Sequence, residues 1–230
     1  MKFAILAAGE GSRLAQEGIE LPKPLVRING EAMIDRLIRI FNKCNAEKII
    51  IITNNLTTLT QNHLKSLQQS DSKIQLIVKT TSSSMHSFYE LMPHLGKGKF
   101  CLTTVDTIFN EAEFMEYINT FSHFEGDGLM AVTDYIDDEK PLYIATDESL
   151  NISGFLDSEP QKYISGGIYC LTDSAFPILT KCIEEGKSRM RNFQRQLVYE
   201  GLSLKAYPFS KILDVDHASD IQKAEEFLKK

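Results

Sequence analysis

Four residues near the start of the chain have the types and spacing of a phosphate-binding loop. Gly9 and Gly11 lie in Gly9-Glu10-Gly11-Ser12-Arg13-Leu14, and Lys23 lies in Pro22-Lys23-Pro24-Leu25. Residues without a side chain let backbone N–H groups come close to phosphate oxygens. Arg13 offers a planar fork of donors that matches a phosphate edge. Lys23 adds a compact positive charge from a segment stiffened by proline on either side. The apolar run Phe3-Ala4-Ile5-Leu6-Ala7-Ala8 just before the first glycine is the strand that must deliver this loop. Strand, glycine turn, Arg and Lys together describe a holder for a nucleoside triphosphate.

The elements that must position such a loop follow from the apolar pattern. Residues 2–8 read as a strand. Glu31 to Phe41 carries helical apolar spacing through Ala32, Met33, Ile34, Leu37, Ile38, Ile40 and Phe41. Ile49-Ile50-Ile51-Ile52 is a continuous apolar run, expected of a strand buried on both faces. A more polar helix over 57–69, a strand over 74–78, a helix over 84–95 opened by serine, a strand over 99–104 running to Val105-Asp106, and a helix from Glu111 to Ser122 complete the first half. This alternation predicts a parallel, doubly wound sheet. The second half is less regular: strands over 128–133, 142–146, 152–156, 164–171 and 204–207, an acidic loop from Asp134 to Glu139, and helices over 174–185, 189–200 and 219–229. No repeat, low-complexity segment or flexible linker interrupts the chain, so a single domain over 1–230 is expected.

Composition sets outer limits. Of 230 residues, 43% are hydrophobic, enough for a sizeable core. A net charge of −6 and an isoelectric point near 5.4 argue against broad binding to nucleic acid or anionic membrane. A local cluster such as Arg13 and Lys23 still dominates its own pocket. Cys44, Cys101, Cys170 and Cys182 are scattered, with no C-x-x-C pair, and read as reduced thiols of a cytoplasmic protein rather than a zinc site. The apolar start is too short for a signal h-region and meets Glu10 and Arg13 at once. No membrane span is expected.

The generic phosphate motifs do not fit. A dinucleotide fingerprint needs glycine where Leu14 stands, and no G-K-[ST] follows the loop. The full string Leu6-Ala7-Ala8-Gly9-Glu10-Gly11-Ser12-Arg13-Leu14, followed by Pro22-Lys23-Pro24-Leu25, is more specific. It resembles the signature of the sugar-1-phosphate nucleotidyltransferases, with phosphocholine cytidylyltransferase-like members as near relatives. That resemblance implies a Rossmann-like, glycosyltransferase-A-like α/β fold with a mostly parallel mixed sheet. It implies that Leu6, Ala7, Ala8, Gly9, Gly11 and Ser12 wrap the base, ribose and phosphates, while Arg13 and Lys23 hold the triphosphate. The resemblance covers essentially the whole chain, but strongly only its start, and no tail remains for the left-handed β-helix that some members append.

Transfer of a nucleotidyl group onto a phosphate joins two anions, so it needs charge neutralisation and in-line positioning more than acid–base work. Mg²⁺, held by one or two carboxylates plus phosphates and water, suits this. Asp106 follows a strand, which in an open parallel sheet places it at the carboxyl edge where ligands bind. Thr104-Val105-Asp106-Thr107 resembles the family's strand-end metal aspartate, with Val105 where glycine is frequent; a turn or capping aspartate is the ordinary alternative. Asp214-Val215-Asp216-His217-Ala218-Ser219-Asp220 resembles the late segment that opens the family's last helix. The second metal carboxylate is then Asp214, slightly favoured, or Asp216, unless these acids serve only the helix terminus.

Thr80 to Ser87, with Ser82 and Ser83 at its centre, resembles the family's small-residue loop at the base. A serine-rich loop entering a helix also serves simply as a cap. His86 reads as a capping or surface residue with phosphate contact as the alternative. Gly166-Gly167-Ile168-Tyr169 resembles the segment whose backbone lies against the acceptor sugar, and Gly167 is a candidate contact, although glycine in a strand equally marks a bulge. The family's E-K-P acceptor segment is rearranged to Glu159-Pro160-Gln161-Lys162, which leaves Lys162 as a candidate for an acceptor phosphate. Arg191 and Arg195, four apart on one helix, form either a phosphate patch or a solvated face.

The function expected is Mg²⁺-dependent transfer of NMP from an NTP to a sugar 1-phosphate with release of pyrophosphate. One alternative is the same chemistry on phosphocholine or another phospho-alcohol. Another is a nucleotide-binding regulatory module without catalysis.

Overall fold

The computed structural model describes residues 1–229. In chain order the elements are β1 (Lys2–Ala7), α1 (Ser12–Gln16), a 3₁₀ turn (Lys23–Leu25), β2 (Arg27–Ile28), β3 (Glu31–Ala32), α2 (Met33–Lys43), β4 (Lys48–Thr53), α3 (Thr58–Ser70), β5 (Ile74–Val78), α4 (Ser84–Leu95), β6 (Lys99–Thr104), β7 (Thr107–Phe109) and α5 (Glu111–His123). Then follow β8 (Gly128–Thr133), β9 (Tyr143–Thr146), β10 (Ile152–Leu156), β11 (Tyr163–Thr172), α6 (Ala175–Glu184), α7 (Met190–Tyr199), β12 (Leu204–Phe209), β13 (Ile212–Asp214) and α8 (Ala218–Leu228).

One sheet runs β10-β9-β11-β6-β1-β4-β5, with β8 pairing both β11 and β12. The strands β6, β1, β4 and β5 are mutually parallel, as the alternation of strands and helices predicts. Strand β11 runs antiparallel to β6 and β8, which makes the sheet mixed. Alternation along each strand divides two core layers. Phe3, Ile5, Ile49, Ile51 and Cys101 face the layer built with α2, α3 and α5. Ala4, Leu6, Ile50, Ile52, Phe100 and Leu102 face the layer built with α4, α6 and α7. Ile49 to Ile52 are wholly buried, and each such side chain contributes about 1.5–3 kcal/mol on burial. That covering by helices on both faces is why the isoleucine run does not alternate with polar residues.

The start of α2 and a short added ladder depart most from the sequence reading. Glu31 and Ala32 belong to a short hairpin with Arg27 and Ile28, so the helix expected from Glu31 starts at Met33, whose N–H bonds back to Val26. The short β7–β13 ladder was not foreseen, and it is tertiary: Thr107–Phe109 finds its partner more than a hundred residues away. Two- and three-residue strands have no period to detect.

Helix α5 is pinned to the sheet by Tyr117, whose buried hydroxyl donates to the Leu129 carbonyl and accepts the Cys170 N–H. Burial drives its pKa well above the ordinary tyrosine value, so it remains a neutral donor. Tyr117→Phe strands both backbone groups away from water and is expected to cost about 2 kcal/mol. Urea unfolding will show this as a lower midpoint with an unchanged slope.

Candidate active site

The chain passes from β1 to β4 and β5 on one side, then returns to β6 on the other side of β1. The crevice between β1 and β6 is therefore the point where the strand order reverses, the usual ligand site of an open parallel sheet. Both leading candidates emerge there. The glycine loop leaves β1, and Asp106 follows β6. The Val105 N–H bonds to the Leu6 carbonyl at 3.1 Å and fixes the Asp106 turn beside the glycine loop.

Gly11 precedes α1 in a left-handed conformation with φ of 65°, and no side chain caps that helix. A Cβ at Gly11 would stand 2.9 Å from Lys23 Cβ. Glycine is thus required twice, for its φ and for the close approach of the two halves of the phosphate holder. The second half is kept rigid by the 3₁₀ turn over Lys23–Leu25.

Two cavities meet at this edge. One, of about 440 Å³, is lined by Leu6, Ala8 to Arg13, Lys23, Thr81 to Ser84, Thr104 and Asp106. The other, of about 300 Å³, is lined by Thr133, Tyr135, Asp137, Asp138, Ser165, Gly166, Asp214 and Lys223, among others. Arg13 and Asp216 line both. Ala7, expected with the loop, instead faces the core.

Charge is concentrated where the cavities join. Lys23 Nζ pairs with Asp106 and, at 2.7 Å, with Asp216, while Arg13 reaches the other Asp216 oxygen at 3.0 Å. The Lys23 side chain is only 11% exposed and that of Asp106 19%. Burial disfavours the Lys23 charge, yet the two carboxylates outweigh it and hold the ammonium above its ordinary range. Asp214 sits opposite Thr107 in the β13–β7 ladder and accepts a hydrogen bond from its hydroxyl. Enclosure by protein, then the Asp106 charge, raises its carboxyl to about 8, against the opposing pull of the Thr107 hydroxyl and the Lys23 ammonium.

These carboxylates are hard oxygen donors of the kind Mg²⁺ takes. Asp106 and Asp216 converge on one cation, Lys23, so they can converge on another. Among the described residues no three His, Cys, Asp or Glu side chains are grouped as a metal cage. The donor set therefore fits an ion that takes one or two carboxylates and completes its shell with phosphate and water, the ordinary habit of Mg²⁺. Asp216 stands with Asp106, and Asp214, the slightly favoured candidate, lies beside them on Thr107.

The remaining candidates divide. Ser82 and Ser83 line the first cavity. Ser83 also caps α4, with its hydroxyl 2.9 Å from His86 Nδ1, so His86 is the capping partner. Gly167 lies at φ of 73° in the irregular stretch of β11, where a Cβ would stand 3.1 Å from Thr107 Oγ1. It allows β11 to approach the Thr104–Thr107 hydroxyl pair, and Gly166 rather than Gly167 lines the second cavity. Lys162 is exposed, lies 4.9 Å from the centroid of the Tyr163 ring, and lines neither cavity. Arg191 and Arg195 both grip Asp157, each at 2.6 Å, and do not form an open phosphate patch.

The structure adds residues that no sequence motif marked. Glu17 ties the glycine-loop helix to the last helix by accepting the Ala218 N–H and meeting His217 Nδ1, both at 2.6 Å. Tyr135, Asp137 and Asp138 enter the second cavity from the acidic loop, and Lys223, which pairs with Asp137 at 2.7 Å, enters it from α8. Their only signal in the sequence is charge in a loop and on a helix.

Lys23→Met leaves Asp106 and Asp216 facing each other without their shared cation. A loss of about 1–3 kcal/mol is expected, less than for a wholly buried pair because water reaches Asp216. The raised Lys23 pKa means that the wild-type contribution is complete at neutral pH and is lost only as alkaline pH approaches the folded value. The variant's deficit comes from the repulsion of two carboxylates left without their shared cation. Urea unfolding of both proteins at pH 7 measures it as a lower midpoint.

Residues 3–197 match the model of the MobA-like NTP transferase domain. The bifunctional IPC transferase and DIPP synthase of Aquifex aeolicus is 24% identical over 242 residues, covering 98% of this chain and 51% of its own length. The same-named protein of Thermococcus kodakarensis is 24% identical, covering 99% of this chain and 50% of its own length. The chain thus spans about half the length of these curated relatives. Among solved structures, the inositol-1-phosphate CTP transferase from T. maritima superposes with a TM-score of 0.79 at 19% identity, over 99% of this chain and 97% of that one. A Bacillus anthracis protein described as a glucose-1-phosphate thymidylyltransferase, in complex with sucrose, gives 0.84 at 20% identity, over 100% and 96%. These likenesses agree with the fold implied by the resemblance of the glycine-loop signature, and the family match over residues 3–197 assigns the family: the chain belongs to the MobA-like NTP transferase domain family.

Proposed function

We propose that this protein transfers NMP from an NTP to a sugar 1-phosphate or closely related polyol phosphate, releasing pyrophosphate and forming an NDP-sugar. The observation that carries this reading is the junction of two cavities at Arg13 and Asp216, with Lys23 and Asp106 beside it. A triphosphate in the first cavity and a phosphorylated acceptor in the second would meet there.

In the reaction, an acceptor phosphate oxygen attacks the α-phosphorus of the NTP. A new P–O bond forms, the α–β bridging bond breaks, and pyrophosphate leaves with the bonding electrons. The acceptor is already anionic, so no general base is needed. Arg13 and Lys23 would hold the triphosphate and stabilise the departing pyrophosphate, exchanging Asp216 for phosphate oxygens. The glycine loop, with Ser82 and Ser83, would hold the nucleoside. Asp106, with Asp216 or Asp214, would hold Mg²⁺. When bound, that ion neutralises charge on the phosphates of both substrates.

The second cavity supports a polyol over phosphocholine. Asp137, Asp138, Thr133 and Ser165 offer acceptors for hydroxyl groups. Tyr135 is the one Phe, Tyr or Trp side chain among its lining residues, so no aromatic cage for a quaternary ammonium is built there. The relatives named for inositol-1-phosphate and glucose-1-phosphate point the same way. A regulatory module without catalysis fits less well, because the cations and carboxylates that the chemistry needs stand together.

We read residues 1–230 as one functional domain, since β12 joins the main sheet beyond the family match and β13 supplies Asp214. The four cysteines are free, which suits a reducing compartment such as the cytoplasm, and no helix among the described residues is long and apolar enough to cross a membrane.

Pyrophosphate release is the test, with ATP, CTP, GTP, UTP and dTTP each paired with sugar 1-phosphates, inositol 1-phosphate and phosphocholine, with and without Mg²⁺. One NTP with a sugar or inositol phosphate is expected to turn over only with the ion. Asp106→Ala is expected to lower the rate about 10³-fold. Turnover with phosphocholine alone would overturn the acceptor assignment. NTP binding that ignores Mg²⁺, without turnover of any pair, would favour the regulatory module.

A further inference from the structure

Asn54 follows β4 and is only 1% exposed, yet it has no counterpart among the motifs of the nucleotide site. Its Nδ2 group donates to the carbonyls of Ala8 at 3.1 Å and Gly9 at 3.3 Å. Its Oδ1 accepts from the Leu56 N–H at 3.0 Å, the Thr57 N–H at 3.1 Å and the Thr57 hydroxyl at 3.0 Å. The orientation of the amide is unambiguous. Reversed, it would set oxygen against two carbonyls and NH₂ against two N–H groups. One residue on, the Asn55 N–H donates to Thr80 Oγ1 at 3.1 Å, directly before Thr81-Ser82-Ser83.

The position of this segment in the sheet explains these contacts. The glycine loop follows β1 and the serine loop follows β5, and β4 lies between those two strands. Its end is therefore where a short segment reaches both loops of the first cavity. In a trans peptide the C=O and N–H point in opposite directions. Bonding the Ala8 and Gly9 carbonyls to Asn54 thus turns the Gly9 and Glu10 N–H groups away from it, and both residues line the cavity.

We infer that Asn54 is a positioning residue for the nucleotide, orienting the Gly9 and Glu10 peptide N–H groups and, through Asn55, fixing the distance between the glycine and serine loops. The inference rests on reading the first cavity as the NTP site. Asn54 does not touch the substrate; it acts through the backbone that does. An aspartate is the same size but lacks both donors and turns a carboxylate towards two carbonyl oxygens.

The test is calorimetric titration of Asn54→Asp with a non-hydrolysable NTP analogue, beside Gln61→Ala. Gln61 Nε2 donates to the Asn54 carbonyl at 3.1 Å, so its loss loosens the same segment while sparing the bonds to the glycine loop. Asn54→Asp is expected to weaken NTP binding about tenfold or more. Its acceptor KM at saturating NTP should stay within about twofold, and Gln61→Ala should bind as the wild type does. Where the new carboxylate prevents folding, Asn54→Ser, which keeps one donor, is read in its place and should show an intermediate loss. A folded Asn54 variant with wild-type affinity overturns the inference, as does Gln61→Ala weakening NTP to the same degree, which would mark a general loss of local stability. If the wild-type protein binds no NTP analogue, the reading of the cavity fails first, and the inference falls with it.

Discussion

The Lys23 ammonium, shared between Asp106 and Asp216, is the contact around which the cleft is organised. It joins residues from the start, middle and end of the chain, and each arrives on a different support: a proline-stiffened turn, the end of β6, and the segment between β13 and α8. Like charges this close would repel without a cation between them. The chain as a whole carries a net charge of −6. On the proposed reading, anionic substrates would be held in its cleft by Arg13 and Lys23, both of which pair with Asp216.

That arrangement depends on the crevice beside β1. The strand order places two loops side by side, and the Val105–Leu6 hydrogen bond locks them together. The buried isoleucines of β4 hold β1 from its other side, and Asn54 at the end of β4 extends that rigid framework into the glycine loop. Precision at the site thus begins with the strand ends from which both loops leave.

The sequence made the first cavity legible because its signals are local. Glycine, arginine and lysine stand within a short stretch, and the isoleucine run and the post-strand position of Asp106 follow from periodicity alone. The second cavity was hardly legible. Tyr135, Asp137 and Lys223 come from a loop and a distant helix, and only tertiary structure brings them together. Gly167 stood out in the sequence as a candidate acceptor contact or a bulge, and in the fold it sits at positive φ where β11 approaches Thr107. Lys162 and the Arg191–Arg195 pair showed basic residues without partners in the sequence, and the fold supplied other partners, Tyr163 and Asp157. Asn54 carried no motif, because its role lies in which carbonyls it reaches.

This division has a physical reason. The phosphate chemistry requires a fixed set of charges and backbone donors, and a loop between a strand and a helix supplies them in consecutive residues. Acceptor recognition requires only hydroxyl-binding groups around a concavity, which many loops can furnish. The two demands meet in Arg13 and Asp216, the residues common to both cavities. On the proposed reading, a change at either would alter the triphosphate and acceptor sides together, whereas a change at Asp138 or Tyr135 would touch the acceptor side alone. The chemistry would then be anchored at the strand ends, and the choice of acceptor left to the loop from Asp134 to Lys140 and to α8, elements outside the parallel core.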